Sequence, residues 1–238
     1  MNVLAIETAT ETVGVAVRTT EGVEAEFSLT GRRRHVESLT PAMEHLLGQV
    51  GLRPGDLDAV AVDLGPGLFT GLRVGIASAK GLAQALGIGV VGLSSVEILV
   101  RAATQRGHRG LVLAAVDARR GEVFAAVHDV GGAPGGAAQQ ISTALFTPAD
   151  LARALAAFGG APITACGDGV QRYAAVLGAV DGVSCLLDAL AFPPPLTLLT
   201  LAEELVRAGQ EPLEPGLVVP LYLREADATS NFAQIGQG

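Results

Sequence analysis

Two acidic residues end short apolar segments in the two halves of the chain. Glu7 follows the apolar residues 3–6, and Asp117 follows the apolar residues 111–116. Two carboxylates at the ends of buried strands can share a cleft and divide the roles of general acid and general base. We expect neither a nucleophile nor a cation beside them. The pair therefore indicates an acidic cleft and not a complete catalytic site.

The histidines, cysteines and serines do not form a pattern typical of a metal site or a nucleophilic site. The candidates are His35, His45, His108, His128, Cys166 and Cys185. No two histidines stand four residues apart, none lies near a cysteine cluster, and the chain has no Gly-x-Ser-x-Gly segment. We expect His35 and His45 at the surface or an interface, and both cysteines as buried reduced thiols. No metal, cofactor or catalytic residue is predicted.

A pattern of apolar strand, acid, short turn and returning strand occurs twice in the chain. The first unit begins near residue 3 and the second near residue 111. Alternating apolar residues at 23–29 extend the first unit into an antiparallel meander. This duplication predicts an α/β protein with a two-lobed actin-like ATPase fold, the ASKHA or ribonuclease H-like architecture, with duplicated β-meander halves. The predicted lobes are residues 1–108 and 109–225, followed by a flexible tail at 226–238.

The turns that bind phosphate in such a fold are poorly suited to it here. Phosphate turns use glycines, because the backbone must approach the phosphate and donate its N–H groups. The first turn, residues 7–12, has two acids and no glycine, and the second, residues 117–121, has glycine only at its end. Gly167-Asp168-Gly169 falls where such folds approach the adenosine, but a turn of this kind is common. Nucleotide binding is therefore not expected.

Two segments of the first half have strong helical periodicity. Residues 36–50 place apolar side chains on one face. Pro41 within them indicates either a helix that starts after Thr40 as its cap or a kink in a longer helix. A second helix follows a glycine-rich turn, with Thr70 predicted as its cap and Gly87 as its stop.

The remaining elements follow from the same patterns. Strands are predicted near 58–64, 90–93, 140–146 and 163–166, and helices near 95–104 (capped by Ser94-Ser95), 148–158, 169–177 and 196–208.

The two helices of the first half are predicted to form a docking surface. Small residues recur every four positions in the second helix: Gly71, Gly75, Ala79 and Ala83. Such a ridge lets another helix approach closely, although internal packing would also explain it. The first helix has more apolar side chains than one face needs, namely Leu39, Met43, Leu46 and Leu47. We interpret this surplus as a surface that a partner covers.

The net charge of −8 disfavours a direct nucleic-acid interface, since a tRNA backbone attracts clustered Lys and Arg. Basic residues cluster only at Arg32-Arg33-Arg34 and Arg119-Arg120, and no aromatic residues flank them as a stacking surface. We interpret the first cluster as a solvated helix entry.

No segment is predicted to direct export or to span a membrane. The first residues lack the basic start of a signal peptide, and Glu7 ends the apolar run early. The apolar stretch at 183–202 is interrupted by Asp188 and Pro193-Pro194-Pro195, so it cannot span a bilayer. We expect a cytoplasmic protein.

Three segments resemble the bacterial TsaB family. The central one reads Gly65-Pro66-Gly67-Leu68-Phe69-Thr70-Gly71-Leu72-Arg73-Val74-Gly75 and continues Ala79-Lys80-Gly81-Leu82-Ala83. The opening Leu4-Ala5-Ile6-Glu7-Thr8-Ala9 and the ending Pro220-Leu221-Tyr222-Leu223-Arg224, followed by Asp227, are also similar to the family. The central block is quite specific, whereas residues 130–215 match mainly in length and pattern. Glu7 departs from the family, whose members commonly have Asp, and this weakens a nucleotide role further.

The resemblance implies a role in making N6-threonylcarbamoyladenosine at position 37 of tRNAs that read codons beginning with A. It implies a non-catalytic subunit that docks onto TsaD, which holds the metal and transfers the threonylcarbamoyl group, and that is joined by the ATPase TsaE. The tRNA would be contacted only through the complex.

The docking contact that the resemblance implies is a bundle of two helices from each protein, and the same surface would serve a homodimer of the chain alone. Carried onto this sequence, the partner-docking residues are His35, Leu39, Met43, Leu46, Leu47, Gly71, Leu72, Gly75, Ile76, Ala79 and Ala83.

Two enzymatic alternatives are a metal-dependent glycoprotease-like peptidase and a kinase-like ATP-binding enzyme. The related TsaD carries a His-x-x-x-His pair that this sequence lacks, which argues against the peptidase. The glycine-poor turns argue against the kinase. The chain is therefore predicted to be a pseudo-enzyme subunit.

Overall fold

The computed structural model describes residues 1–31, 35–131, 138–185 and 190–223. The predictions made for Arg32-Arg33-Arg34, Asp188, Arg224, Asp227 and the tail at 226–238 lie outside the described residues.

The first half of the chain forms a five-stranded sheet, because its apolar runs are short, rich in Val and Ala, and separated by turns. Its strands are β1 (Val3–Glu7), β2 (Thr12–Arg18), β3 (Glu24–Thr30), β4 (Ala59–Asp63) and β5 (Gly89–Leu93). The first three form an antiparallel meander, and β4 and β5 continue beside β1 in parallel, giving the order β3-β2-β1-β4-β5. Strands β1 and β4 are buried along their whole length, since helices cover both faces.

The second sheet repeats this topology. Its strands are β6 (Leu111–Arg119), β7 (Glu122–Asp129), β8 (Ala138–Phe146), β9 (Ile163–Cys166) and β10 (Val183–Cys185). The meander β6–β8 is antiparallel, β9 and β10 are parallel to β6, and the order is β10-β9-β6-β7-β8. The predicted α/β fold with duplicated meander halves is therefore confirmed. Strand β10 was not predicted, because three partly exposed residues are too few for a periodic pattern.

Helices cover both faces of each sheet. Helices α1 (His35–Gln49) and α2 (Phe69–Leu86) pack on one face of the first sheet. Helix α3 (Ser95–Gln105) packs mainly on the second sheet, whose other face carries α4 (Pro148–Ala156), α5 (Asp168–Arg172) and α6 (Ala174–Leu177). Helix α7 (Pro195–Arg207) returns from the second half to the free face of the first sheet. The predicted lobe boundaries stay a prediction. They assign α7 to the second lobe by its sequence position, whereas α7 packs on the sheet of the first half.

The structure decides between the two alternatives for the start of the first helix and contradicts the predicted cap of the second. Pro41 lies inside α1, which begins at His35, so Thr40 is not its cap and the alternative of a longer helix is correct. Helix α2 begins at Phe69, with Leu68 at its N-cap and Thr70 already within its first turn. Helix α2 therefore starts before Thr70, the residue that the preference of Thr for N-cap positions had predicted as the cap.

Other helix ends agree with the sequence. Gly87 ends α2 in the left-handed conformation, with φ of 69°. The hydroxyl of Ser94 accepts a hydrogen bond from the Glu97 N–H, while the Glu97 carboxylate accepts one from the Ser94 N–H, which closes a capping box on α3. The helix predicted at 169–177 is divided at Tyr173 into α5 and α6. Across the described part of the chain, no helix combines the length and apolarity that crossing a membrane requires.

Candidate functional site

The residues predicted to dock a partner lie mostly inside the chain. Of the set on α1 and α2, Met43 is partly exposed, and all the others are buried: His35, Leu39, Leu46, Leu47, Gly71, Leu72, Gly75, Ile76, Ala79 and Ala83. Most of these side chains belong to the core between the helices and the first sheet. Internal packing, the alternative reading of the ridge, accounts for their positions, and their contact with a partner stays a prediction.

The buried ridge of α2 has small side chains because the β1–β2 turn lies directly against it. A Cβ atom at Gly71 would overlap the Thr8 carbonyl, and one at Gly75 would overlap the Thr8 hydroxyl. That hydroxyl donates a hydrogen bond of 2.9 Å to the Gly71 carbonyl. The glycines therefore allow α2 to pack on the chain's own turn.

A second ridge runs along the opposite side of α2. It consists of Phe69, Arg73, Ala77, Gly81 and Ala85, and all five are exposed. We call it the outer ridge. It is displaced by two residues from the buried ridge, and two residues correspond to about 200° around a helix of 3.6 residues per turn. No described atom lies within 4 Å of where a Cβ at Gly81 would be.

The outer ridge begins in a cluster of two aromatic rings and one arginine. The Arg73 guanidinium lies 3.7 Å from the centroid of the Phe69 ring, and its Nε donates to the Tyr222 hydroxyl at 3.3 Å. The rings of Phe69 and Tyr222 are 5.5 Å apart, and each residue is 50% exposed. Aromatic residues and arginine are the types most enriched in the energetic centres of protein interfaces.

An extended segment beside α2 enlarges this apolar surface. Leu213 pairs with Val90 at the edge of the first sheet, and the Leu221 N–H donates to the Leu64 carbonyl at 2.8 Å. Val218 is buried, while its neighbours Leu217, which ends a short 3-10 helix (Pro215–Leu217), and Val219 face outward. The exposed residues, which we call the apolar strip, are Leu217, Val219, Leu221 and Leu223.

Glu7 pairs with a carboxylate that the sequence analysis did not single out. Asp63 ends β4, which runs parallel to β1, so the two acids end neighbouring strands, and both are fully buried. Burial, followed by the neighbouring Asp63 carboxylate, raises the pKa of Glu7 well above its usual range. Burial also raises the pKa of Asp63. Glu7 therefore has a carboxylate neighbour within the first sheet, and its sharing of a cleft with Asp117 stays a prediction.

Asp117 has a cation beside it, contrary to expectation. The Arg119 guanidinium is 2.9 Å from the Asp117 carboxylate and 2.7 Å from that of Glu11 in the β1–β2 turn. Arg119 and Arg120 both have positive φ, 62° and 55°, a conformation that costs non-glycine residues on the order of 1 kcal/mol each. Arg119 thus connects the turns of the two halves, which are the turns that would bind phosphate in an actin-like ATPase fold.

A cleft of about 860 Å³ separates these turns. Its lining is Glu11, His35, Leu68, Phe69, Thr70, Gly71, Arg119 and Arg172. Asp168 lies close by and accepts a hydrogen bond of 2.9 Å from the Asp117 N–H. Burial raises the pKa of Asp168 to about 6.

The remaining candidate side chains serve the fold. His45 is exposed as expected, but His35 is buried and bonds the Thr10 carbonyl through Nε2 at 2.9 Å. His128 is buried on β7, and burial lowers its pKa. Both cysteines are free thiols; Cys166 is buried as predicted, whereas Cys185 is partly exposed.

The charged groups that line the cleft are already paired in part. Arg119 lines it and forms ion pairs with the carboxylates of Glu11 and Asp117. In the described ranges no three His, Cys, Asp or Glu side chains converge into a group that could hold a metal ion. The signal that could have located this arrangement is the Asp117-Ala118-Arg119 spacing, which places a cation two residues after an acid at a strand end.

Comparison with known proteins gives a consistent assignment. A family model described as "TsaD: tRNA N6-adenosine threonylcarbamoyltransferase" matches residues 25–232. The "tRNA threonylcarbamoyladenosine biosynthesis protein TsaB" of Escherichia coli is 39% identical over 124 residues, 52% of this chain and 53% of that protein. The protein of the same name from Bacillus subtilis is 38% identical over 128 residues, 54% and 55% of the two chains. The matched region thus spans about half the length of these curated relatives.

Solved structures match over nearly the whole chain. A Pseudomonas aeruginosa protein described as similar to the peptidase YeaZ is 30% identical, with a TM-score of 0.79 over 94% of this chain and 99% of that one. A structure of YeaZ from the same organism is 29% identical, with a TM-score of 0.77 over 93% and 99%. Together with the sequence-family match and the TsaB relatives, these findings place the chain in the TsaB family.

Proposed function

We propose that this chain is a non-catalytic subunit in the formation of N6-threonylcarbamoyladenosine at position 37 of tRNAs that read codons beginning with A, and that it docks onto TsaD. The observation that carries the proposal is the exposed outer ridge of α2, with the Phe69–Arg73–Tyr222 cluster at one end. The names of the curated relatives support the pathway.

The outer ridge has the composition of a helix-packing surface. Ala77, Gly81 and Ala85 follow one another at four-residue spacing, so the backbone of a second helix can approach α2 closely. The aromatic cluster and the apolar strip flank these small residues and supply area that would leave water on binding. We therefore move the docking surface from the buried ridge of the sequence prediction to the outer ridge.

A non-catalytic role is supported by the way the cleft is built. Arg119 occupies the space between the two turns, and the first turn offers no glycine for a phosphate. Net negative charge disfavours direct tRNA binding, so the tRNA would be engaged through the complex, which TsaE is proposed to join.

The decisive test is binding to TsaD from the same organism, measured by calorimetry, together with reconstituted tRNA modification. Phe69→Glu and Gly81→Glu each place a charge on the outer ridge and should weaken the affinity by roughly 30-fold or more, the effect of losing an interface hot spot. Val176→Glu is the matched control, because Val176 is an exposed apolar residue on α6, outside the outer ridge.

Unchanged affinity in both ridge variants would refute the docking face. Full tRNA modification without this chain would refute the role in the pathway. Micromolar binding of ATP with magnesium to the isolated chain would favour the kinase-like alternative. Proteolysis lost with a chelator would favour the peptidase.

The same surface is proposed to support a homodimer of the chain alone. Self-association and TsaD binding would then compete, because one ridge cannot contact two partners. Sedimentation velocity should show the dimer dissociating as TsaD is added, and Gly81→Glu should yield a monomer. A dimer that persists in this variant would place the self-association elsewhere.

A further inference from the structure

The buried acids Glu7 and Asp63 have an unusual set of hydrogen bonds. One oxygen of Glu7 accepts from the Ala9 N–H at 2.8 Å. One oxygen of Asp63 accepts from the Gly65 N–H at 2.6 Å and from the Ser95 hydroxyl at 2.8 Å. For the second oxygens, Glu7 Oε2 and Asp63 Oδ2, the described residues provide no donor. Both oxygens belong to buried carboxyls at the ends of adjacent strands, so one hydrogen placed between the two carboxyls would satisfy both acceptors.

No opposite charge in the described surroundings balances the pair. The other charged groups that act on it are acidic as well: Glu97 from α3 acts on Asp63, and Asp168 from α5 acts on Glu7. Across the sheet the neighbours are uncharged, Gly14 on β2 and Leu93 on β5. Two buried anions side by side would repel each other and would both lack water, so one of them must be neutral.

We infer that Glu7 and Asp63 share a single proton at neutral pH, and that this proton holds together the two turns that precede β2 and α2. The two carboxyls accept hydrogen bonds from Ala9 in the β1–β2 turn, from Gly65 in the β4–α2 turn and from Ser95 at the start of α3. The two turns also join directly, since the Leu68 N–H donates to the Ala9 carbonyl at 2.6 Å. This inference does not depend on the proposed function.

The shared proton makes the fold sensitive to alkaline conditions. A carboxyl whose pKa is raised on folding contributes stability that is present below its ordinary pKa and is lost as the pH rises through the folded value. The raised pKa values of both acids agree in direction with this arrangement. We therefore expect the melting temperature to decline as the pH rises from about 5 towards 8 and beyond.

The test replaces each acid with its amide. In Glu7→Gln the side-chain NH2 supplies the missing hydrogen permanently while the amide oxygen still accepts from Ala9, and Asp63→Asn does the same from the other side. Each single variant should lose the pH-dependent decline in melting temperature. The double variant should melt lower than either single variant, because two NH2 groups then face each other. Glu44→Gln on α1, where the residue is exposed, is the control for removal of one negative charge.

Carbon-13 NMR of the carboxyl groups in the unmodified protein gives a second readout, and the Glu7→Gln variant assigns the signal to the pair. One carboxyl of the pair should have the chemical shift of a protonated acid at neutral pH, and that signal should be absent in Glu7→Gln. The inference is overturned if both carboxyls have ionised shifts at neutral pH, or if both single variants keep the pH dependence of the unmodified chain.

Discussion

Alanine substitutions at Gly75 and Gly81 distinguish the two faces of α2. Both residues lie inside the same helix, so replacing either glycine with alanine gains about 1 kcal/mol of helix propensity. At Gly81 no described atom lies within 4 Å of the new methyl group, and this gain should remain. The free energy of unfolding of Gly81→Ala should therefore rise by about 1 kcal/mol.

At Gly75 the new methyl group meets the core. It would overlap the Thr8 hydroxyl and contact the Ile6 side chain at 3.4 Å. Overpacking of this kind costs about 1–3 kcal/mol, and moving the Thr8 hydroxyl away from the Gly71 carbonyl costs about 1 kcal/mol more. After subtracting the gain in propensity, Gly75→Ala should lose about 1–3 kcal/mol.

Far-UV circular dichroism during urea and thermal unfolding is the appropriate assay, because the chain has no tryptophan to report by fluorescence. For a chain of this size 1 kcal/mol corresponds to about 2–4 °C in Tm. Gly81→Ala should melt a few degrees above the unmodified protein and Gly75→Ala below it. If both variants were stabilised equally, the ridge at Gly75 would not be packed against the β1–β2 turn, and the assignment of the two faces would fail.

Two further predictions concern the cleft. Asp168→Asn keeps the acceptor for the Asp117 N–H but removes a carboxyl whose pKa is raised to about 6. Because the unmodified chain loses the contribution of this carboxyl as the pH rises from about 4 to 6, the variant should gain stability relative to it by up to about 3 kcal/mol over that range. Urea unfolding across this pH range would measure the gain, and a constant difference between the two proteins would contradict the prediction. Arg119→Ala removes the ion pairs to Glu11 and Asp117 and should cost about 1–3 kcal/mol in the same assay, whereas Arg172→Ala removes only a longer, half-exposed pair to Asp117 at 3.6 Å and should cost less; equal losses in the two variants would contradict the central role of Arg119.

Helix α2 shows how a sequence pattern can predict a helix without predicting which of its faces is buried. Helix α2 has small residues on both sides, at Gly71 and Gly75 and again at Ala77 and Gly81. Spacing by four residues identifies each ridge but does not say which one faces the sheet. The contact of Thr8 with Gly75 decided this, and that contact joins residues distant in the sequence.

The acids at the strand ends show the same limit. The position after an apolar run singles out Glu7, and the repeat of that run singles out Asp117. Asp63 has the same position at the end of β4 but falls inside the predicted strand 58–64, and its place beside Glu7 follows only from β4 lying parallel beside β1. In the sequence Arg119 belongs to a basic pair with Arg120, whereas in the structure its guanidinium contacts Glu11 in the other half.

The sequence by itself determined the strands, most helices, the duplicated topology and the resemblance to TsaB, because these depend on local periodicity, turn residues and short motifs. Only the tertiary structure decided which side of α2 is covered, which carboxylates meet and what fills the cleft. These features depend on contacts between segments distant in sequence, and strand order and helix rotation set those contacts without leaving a local pattern.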